Sequence, residues 1–132
     1  MKPVPTPETA SYWEGARLGE LRIQFCRSCG KYYFYPRSRC RYCLSSDVVW
    51  SVVSGRARLI SYVINLRPVP GLEGVSPVIA LVQLDEGPRL MTNIVGVDPS
   101  PTNLPLDLRL TVLFVEHSGV VLPVFQPDSE VA

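Results

Sequence analysis

Four cysteines in two CxxC pairs are the residues whose types and spacing point most directly to chemistry. The pairs are Cys26/Cys29 and Cys40/Cys43, with ten residues between them. A two-residue spacer lets both sulfurs of a pair reach one ion from a tight turn, and four thiolates are a common ligand set of tetrahedral Zn²⁺. With all four bound the site is closed, which indicates a structural rather than a catalytic metal. We predict one Zn²⁺ held by these cysteines; iron, disulfides or free thiols are the alternatives.

The residue after each cysteine pair differs between the two pairs. Gly30 follows the first pair and suits the positive φ that such a turn requires, whereas Leu44 follows the second. The gap between the pairs is also shorter than the ~15–20 residues of the commonest ribbon pattern. These are two departures from an otherwise specific zinc-binding motif.

No other group of residues has the spacing of a catalytic site. His117 is the only histidine, and it cannot form a relay with its direct neighbours Glu116 and Ser118, because adjacent residues do not stack as nucleophile, base and orienter. Asp85 and Glu86 belong to a D-E-G-P stretch that is typical of a turn. We therefore expect no catalytic residue, and no enzymatic activity of the chain on its own.

Aromatic and basic residues crowd the segment around the cysteines. In an extended segment Tyr33 and Tyr35 face one side, and Tyr32 and Phe34 the other. One set is expected to cover the metal site and pack on the rest of the fold. The other set could stack bases, hold an adenine or anchor a partner protein; simple ribbon packing with solvated arginines is the alternative. The neighbouring bases are Arg27, Lys31, Arg37, Arg39 and Arg41.

The elements that must position these residues begin with a short helix, predicted over residues 7–18. Thr6 can cap it, Pro7 suits its first position, and Gly19 follows as a stop signal. Alternation of apolar and polar residues over 21–25 then predicts a strand that enters the first cysteine pair.

Five further strands are predicted after the cysteine segment, from apolar alternation between turn signals. They would form a three-stranded meander, a Pro-rich crossover and a hairpin whose last strand is confined to an edge or a bulge by Pro123. Five short strands in a partly open barrel are typical of an OB-fold, and a barrel of the SH3 type is the alternative. The strands cover residues 58–67, 77–85, 89–95, 108–116 and 120–125, and residues 48–54 form a strand or linker before them.

Length and composition are those of one globular domain, or of one small domain with a minidomain attached. The chain has 132 residues, of which 46% are hydrophobic and 19% charged, so a core can form. No segment approaches the ~20 apolar residues of a membrane-spanning helix. The N-terminus MKPVPTPETA has no apolar signal core, so we expect a cytoplasmic location, where paired cysteines more often hold metal than form disulfides.

Charge is divided unevenly along the chain. Residues 1–67 hold 11 of the 13 Lys and Arg with four acids, a net charge of +7, whereas residues 68–132 carry a net charge of −6. The asymmetry indicates a face for an anion or an acidic partner, although the −2 charge of a Zn²⁺–thiolate centre offsets part of it. The sequence pI of about 7.7 is below the value above ~9 of typical nucleic-acid-binding domains, which makes nucleic acid an unfavoured partner.

Several motifs occur in an order that is similar to one known family. YWEG lies in the predicted helix, CxxCG and CxxC enclose Pro36-Arg37, and VVSGRARLISYVINLRP opens the barrel. PVIALVQLDEGPRLMTNIVG and LPVFQP follow. Over residues 12–127 the chain resembles the zinc-ribbon plus OB-fold proteins associated with thiolases and acyl-CoA metabolism.

The resemblance implies a fold and a division of the chain. The fold would be mainly β: a short N-terminal helix, a rubredoxin-like zinc ribbon and a C-terminal five-stranded OB-fold barrel. Residues 1–19 would form the arm and helix, 20–54 the ribbon, 55–127 the barrel and 128–132 a tail. The four family cysteines correspond to the two CxxC pairs and imply a Zn²⁺ cofactor.

The resemblance also implies a function as a non-catalytic accessory subunit that binds a thiolase-fold enzyme and helps to hold acyl-CoA. CoA phosphates suit arginine forks, which makes Arg37, Arg39 and Arg67 candidates for ligand contact, together with Tyr33. Contact with the partner enzyme is expected from the helix aromatics. A nucleic-acid-binding module and a purely structural interaction protein are the alternatives. The partner-contact candidates are Tyr12 and Trp13.

Overall fold

The computed structural model describes residues 6–7, 9–65, 76–117 and 119–128. Within these ranges the chain forms one short helix and two antiparallel sheets, with a 3₁₀ turn at Pro101–Asn103. The elements are α1 (Ala10–Arg17), β1 (Arg22–Cys26), β2 (Tyr32–Tyr33), β3 (Val48–Val52), β4 (Arg56–Ile64), β5 (Val78–Leu84), β6 (Arg89–Asn93), β7 (Arg109–His117) and β8 (Val120–Pro127).

Helix α1 begins at Ala10, three residues later than predicted. Thr6 and Thr9 close a turn ahead of it: the Thr9 N–H donates to the Thr6 carbonyl at 3.0 Å, and the Thr6 N–H donates to the Thr9 Oγ1 at 2.9 Å. Thr9, not Thr6, therefore occupies the N-cap position. The predicted start was wrong because threonine side chains also stabilise turns by local hydrogen bonds, which compete with helix formation.

The end of α1 is formed by glycines. Gly19 has φ +78° and the Glu20 N–H reaches back to the Gly15 carbonyl at 2.7 Å, which satisfies a terminal acceptor. Gly15, inside the helix, lets the next strand approach closely: a Cβ at this position would lie 2.7 Å from the Arg22 Cδ.

No helix in the described ranges is long and apolar enough to cross a membrane.

The cysteine segment is organised by a three-stranded sheet with strand order β2-β1-β3. Gln24 of β1 lies opposite Tyr33 of β2 and Trp50 of β3. Residues 48–52 are thus a strand of the ribbon sheet, and not a linker. The sheet brings the two cysteine pairs to the same end, because β1 ends at Cys26 and β3 starts close to the second pair.

The second sheet has strand order β6-β5-β4-β7-β8 and curls into a nearly closed five-stranded, OB-like barrel. The two edges meet where Ile94 and Phe125 form a parallel bridge, and the Val95 N–H donates to the Phe125 carbonyl at 2.9 Å. The order confirms the predicted meander followed by a hairpin. Pro123 lies in the edge strand β8, as its missing N–H requires.

Most predicted strands lie within a few residues of the observed ones. Strand β4 starts two residues earlier than predicted and ends at Ile64, with an irregularity in the pairing between Leu59 and Ser61. Strand β8 continues to Pro127, because residues 126 and 127 still pair with β7. Residues 66 and 67, the predicted end of the first barrel strand, lie outside the described residues.

One hydrophobic core extends through the barrel and into the ribbon. Leu21 and Ile23, at the start of the ribbon, are 3% and 0% exposed and pack with barrel residues. The division into a ribbon over 20–54 and a barrel over 55–127 therefore remains a prediction about the chain, since the two parts share buried side chains. The cluster contains Leu21, Ile23, Ala57, Leu59, Val78, Ala80, Val82, Leu84, Leu90, Ile94, Leu104, Leu110 and Phe125.

Candidate metal centre

The two cysteine turns have the same backbone geometry. The Gly30 N–H donates to the Cys26 carbonyl at 2.8 Å, and the Leu44 N–H donates to the Cys40 carbonyl at 2.9 Å. Gly30 has φ +73° and Leu44 has φ +65°, so both residues adopt the left-handed backbone conformation. Leu44 adopts the conformation that glycine provides in the first turn, and the missing glycine does not change the second turn.

A second hydrogen bond closes each turn. The Cys26 N–H donates to the Lys31 carbonyl at 3.0 Å, and the Cys40 N–H donates to the Ser45 carbonyl at 2.9 Å. These bonds fix the first cysteine of each pair at the base of its turn. Both of these first cysteines are 0% exposed.

The four sulfur atoms converge on one point. They all lie within 4.8 Å of one another, with 3.5 Å between the Sγ atoms of Cys26 and Cys43 and 3.6 Å between those of Cys29 and Cys40. Four sulfurs at ~2.3 Å from a tetrahedral ion lie roughly 3.8 Å apart, so the spacing suits one Zn²⁺. The separations are much longer than the ~2.05 Å of a disulfide. The cluster could hold one zinc ion.

Backbone N–H groups point at the sulfurs. The Cys29 N–H lies 3.5 Å from the Cys26 Sγ and the Tyr42 N–H 3.3 Å from the Cys40 Sγ. Desolvation acts to raise the pKa of the Cys40 thiol, but N–H groups of Cys43 and Tyr42 outweigh it and lower this pKa to about 6. Desolvation, with the neighbouring Cys26 and Cys40 sulfurs, raises the pKa of Cys29 to about 12. Close packing of the four sulfurs therefore gives the thiols different pKa values. A bound cation would stabilise all four as thiolates at the same time.

Tyr33 covers the inner side of the cluster. Its ring is 1% exposed and packs with Cys26 and Cys40, and its hydroxyl donates to the Arg37 carbonyl at 3.2 Å. Desolvation raises the pKa of the Tyr33 hydroxyl, and negative charge on Cys40 and Cys26 acts in the same direction. Of the ribbon aromatics, Tyr32 and Phe34 pack against the barrel core, and Tyr35 is exposed.

The predicted arginine contacts are spread over the ribbon surface. Arg37 is exposed, and its backbone N–H donates to the Gln24 Oε1 at 2.6 Å. Arg39 is also exposed, and its Nη1 donates to the Leu44 carbonyl at 3.3 Å. Arg67 lies outside the described residues. Contact of these arginines with a ligand stays a prediction.

The helix aromatics connect α1 to the ribbon. The Tyr12 ring makes edge contacts with Trp13 at 5.0 Å and with Phe34 at 5.6 Å between ring centroids, and burial raises the pKa of the Tyr12 hydroxyl. Trp13 lines a hollow of about 340 Å³ together with Val120 and Val121 of β8. The two residues predicted to contact a partner are thus neighbours, and Trp13 faces an apolar hollow.

Sequence reasoning missed two residues beside the ribbon. Tyr42 lies under two cations, and Arg89 lines the same surface from the barrel. Alternation of bases and aromatics in RCRYC was a signal for Tyr42. Nothing local in the sequence places Arg89 near the ribbon, because the approach depends on the tertiary fold.

Comparison with known proteins identifies both halves of the chain. Residues 13–49 match the family described as "ChsH2, rubredoxin-like zinc ribbon domain", and residues 50–115 match "ChsH2, C-terminal OB-fold domain". The mainly β fold with a short helix, a zinc ribbon and an OB-like barrel is therefore confirmed, as is a zinc-ribbon domain with four cysteines that could bind Zn²⁺.

Individual relatives differ in length and in name. A "DUF35 domain-containing scaffold protein" of Pyrococcus furiosus is 34% identical over 119 residues, covering 87% of this chain and 88% of that protein. A "Probable enoyl-CoA hydratase alpha subunit" of Thermomonospora curvata is 32% identical over 128 residues, 96% of this chain. This chain spans only about two fifths, 39%, of that relative's length.

A solved structure extends the likeness to three dimensions. The matched chain of the "Ltp2-ChsH2(DUF35) aldolase" has a TM-score of 0.83 and 30% sequence identity, with 96% of this chain and 98% of that chain covered. Helix α1, the ribbon and the barrel are thus aligned together. The chain belongs to the ChsH2 family of proteins that combine a rubredoxin-like zinc ribbon with an OB-fold domain.

Proposed function

We propose that this chain is a non-catalytic accessory subunit of an acyl-CoA-processing enzyme complex, and that its partner has the thiolase fold. The observation that carries the proposal is the convergence of all four thiols on one metal-binding point, which leaves no described cysteine as a nucleophile. With its four described cysteines directed to one metal ion and no open position on that ion, the chain would act through binding.

The names of its relatives support an accessory role. They mention a hydratase subunit, an aldolase and a scaffold protein, which are two different reactions and one non-catalytic role. A unit shared by such different proteins is better explained by a role in complex assembly or substrate binding than by catalysis of one common reaction. The thiolase fold of the partner is inferred from the resemblance of the sequence motifs.

The hollow beside α1 supports docking of a partner protein. Trp13, Val120 and Val121 give it a mainly apolar lining, beside the ion pair of Glu14 and Arg17. Leu18 at the end of the helix is 57% exposed. Tryptophan is a typical anchor at protein interfaces, and Trp13 is only half-buried, so part of its ring is accessible to a partner. A stable interface buries roughly 1,200–2,000 Å² in total, so ribbon or barrel surface must take part as well. Arg37 and Arg39 remain our proposed contacts to acyl-CoA.

Co-expression with the thiolase-fold enzyme encoded nearest to this chain tests the proposal. We expect a complex that survives size-exclusion chromatography, and acyl-transfer or aldol activity only when both chains are present. Trp13→Ala should weaken the complex at least tenfold, as for an anchor residue. The matched control is Trp50→Ala, which replaces the only other tryptophan, on strand β3. A partner that is fully active alone and forms no complex would contradict the proposal.

A further inference from the structure

Two shallow hollows meet between the ribbon and the β5–β6 turn. Both are lined by Tyr42 of the second cysteine turn and by Gly87 and Pro88 of the β5–β6 turn. The arginine hollow, of about 270 Å³, also includes Arg41 and Arg89. The lysine hollow, of about 290 Å³, instead includes Lys31 and Glu86. Together they are comparable with the smaller ligand sites of proteins, which begin near ~300 Å³.

Cations are concentrated around Tyr42. The Lys31 Nζ lies 4.8 Å and the Arg41 guanidinium carbon 5.3 Å from the centre of its ring. Arg89 approaches from the barrel and lines the arginine hollow with Arg41. Three positive charges, from two different parts of the fold, thus line the two adjoining hollows that share Tyr42.

Within the described part of the chain, Arg41 and Arg89 form no ion pair with a carboxylate, unlike several other arginines. Arg27 pairs with Asp47 at 2.6 Å and Arg109 with Asp85 at 3.0 Å, for example. Among the described residues, no ion pair involves a side chain of the arginine hollow. Like charges brought together without a counter-charge repel one another, and a bound anion removes that repulsion.

Glu86 divides the two hollows by charge. Its Oε2 accepts from the Ser54 N–H at 3.1 Å, and its Oε1 is buried without a hydrogen-bond partner in the described part of the chain. A carboxylate therefore faces the lysine hollow and partly offsets Lys31, whereas none of the described residues that line the arginine hollow is acidic. The arginine hollow is the place where an anion would be held most favourably.

We propose that the arginine hollow binds a phosphate group of a small molecule. Two guanidinium forks match the several oxygens of a phosphate, and a dianion neutralises both charges where a carboxylate would neutralise one. Tyr35 and Tyr42 are 55% and 52% exposed and give the group that carries the phosphate an aromatic surface. This inference deepens the proposed function, on which it rests for the identity of the ligand, because acyl-CoA is a phosphate ester.

The arginines of this site are not those that the sequence indicated as ligand contacts. Arg37 and Arg39 do not line either hollow, while Arg41 and Arg89 line the arginine hollow. Arg56, at the start of β4, is exposed, belongs to no ion pair of the described residues and lines neither hollow. It therefore serves as a matched control for the loss of one positive charge.

The test is a titration of the purified chain with inorganic pyrophosphate at ~0.15 M salt, where nonspecific attraction is largely screened. Backbone amide NMR shifts give the dissociation constant, and we expect saturable shifts centred on Tyr42 and Gly87. Arg41→Gln and Arg89→Gln should each weaken binding about tenfold, the usual effect of losing a charge-assisted hydrogen bond, and Arg56→Gln about twofold or less. Metal content is measured for Arg41→Gln, since position 41 lies between two cysteines; Arg89 is on the barrel.

Two further ligands identify the source of the phosphate. Tighter binding of ADP than of pyrophosphate indicates a nucleotide ester, and equal binding indicates a site for the free anion; both agree with the proposal. The proposal is overturned if acetate binds as well as pyrophosphate, if no saturable shifts occur, or if Arg56→Gln weakens binding as much as Arg89→Gln. No partner enzyme is used, so absence of a complex would overturn the proposed function and leave this result intact.

Discussion

Leu44 occupies a backbone position that normally belongs to glycine. Its φ of +65° is close to the +73° of Gly30, and its side chain is 69% exposed, so packing gives little compensation. A left-handed conformation costs an L-residue roughly 1–2 kcal/mol. The hydrogen bond from its N–H to the Cys40 carbonyl, at 2.9 Å, holds it there.

Replacement of Leu44 by glycine is expected to raise the free energy of unfolding by about 0.5–1 kcal/mol, since the strain removed exceeds the extra entropy of an unfolded glycine. Chemical denaturation of the metal-loaded chain measures the change. The reverse substitution, Gly30→Leu, should lower stability by a similar amount. A less stable Leu44→Gly chain would show that the leucine side chain makes a contact that outweighs the backbone strain.

The cysteine cluster predicts one zinc ion per chain, because its four sulfurs surround a single point. Elemental analysis of the purified chain checks this stoichiometry. Cys40→Ser should lose most of the metal and unfold the ribbon, since metal binding at such sites is coupled to folding. Ser28→Ala removes a hydroxyl within the first cysteine turn and should keep the metal. Purified chain without stoichiometric metal would contradict the assignment.

At the scale of elements, a glycine in the connection between ribbon and barrel packs tightly against β7. Gly55 follows β3, has φ +77° and accepts a hydrogen bond from the Val112 N–H at 2.8 Å. A Cβ at this position would lie 2.3 Å from the Val112 Cγ1. The close approach fixes the point at which the chain leaves the ribbon sheet and enters the barrel.

Gly55→Ala is expected to lower the free energy of unfolding by about 2–4 kcal/mol, the sum of a backbone cost and a steric cost against Val112. Gly19→Ala separates the two contributions, since Gly19 has φ +78° and no heavy atom would meet its Cβ within 4 Å. It should cost only about 1 kcal/mol. Equal losses for the two variants, measured by urea denaturation, would mean that β7 moves away without cost.

For the whole molecule, the shared core makes the metal site important beyond the ribbon. Leu21 and Ile23 pack in the barrel core, and the half-buried Tyr32 and Phe34 lie against the same cluster. Ile23 lies on β1, which leads into the first cysteine turn, and Tyr32 lies on β2, which follows that turn. Loss of the metal should therefore also destabilise the barrel, because ribbon and barrel share buried side chains.

Removal of the metal with a chelator is expected to lower the unfolding temperature of the entire chain, in a single transition. Far-UV circular dichroism and calorimetry follow it, and coincident curves would indicate one cooperative unit. Adding zinc back should restore the unfolding temperature, as expected for a ligand that binds only the folded state. Two separate transitions, with the later one unchanged by chelator, would instead show that the barrel is independent of the ribbon.

Charge distribution leads to a prediction about nucleic acid. The half after residue 67 has a net charge of −6, so single-stranded DNA or RNA should bind weakly and release readily with added salt. Fluorescence anisotropy with a labelled oligonucleotide at ~50 and ~200 mM salt measures this. Sub-micromolar affinity that persists at the higher salt would favour a nucleic-acid-binding function.

The sequence by itself determined the features that depend on local spacing. Two CxxC pairs can meet one ion because a tight turn brings residues i and i+3 together, and alternating apolar residues define strands because successive side chains face opposite sides. The turn of residues 85–88 and the edge position of Pro123 followed from the restricted φ and the missing donor of proline. These constraints act within a few residues, so they can be recognised without the fold.

Only the tertiary structure decided which distant residues meet. Helix α1 starts at Ala10 because two threonines close a competing turn. Tyr33 is buried because the fold packs its ring against Cys26 and Cys40, which come from the two different cysteine pairs. Arg41 and Arg89 line one hollow although 47 positions separate them in the sequence. Such contacts arise from strand register and from the shared core, whose free energy is spread over many side chains, and no short stretch of sequence encodes it.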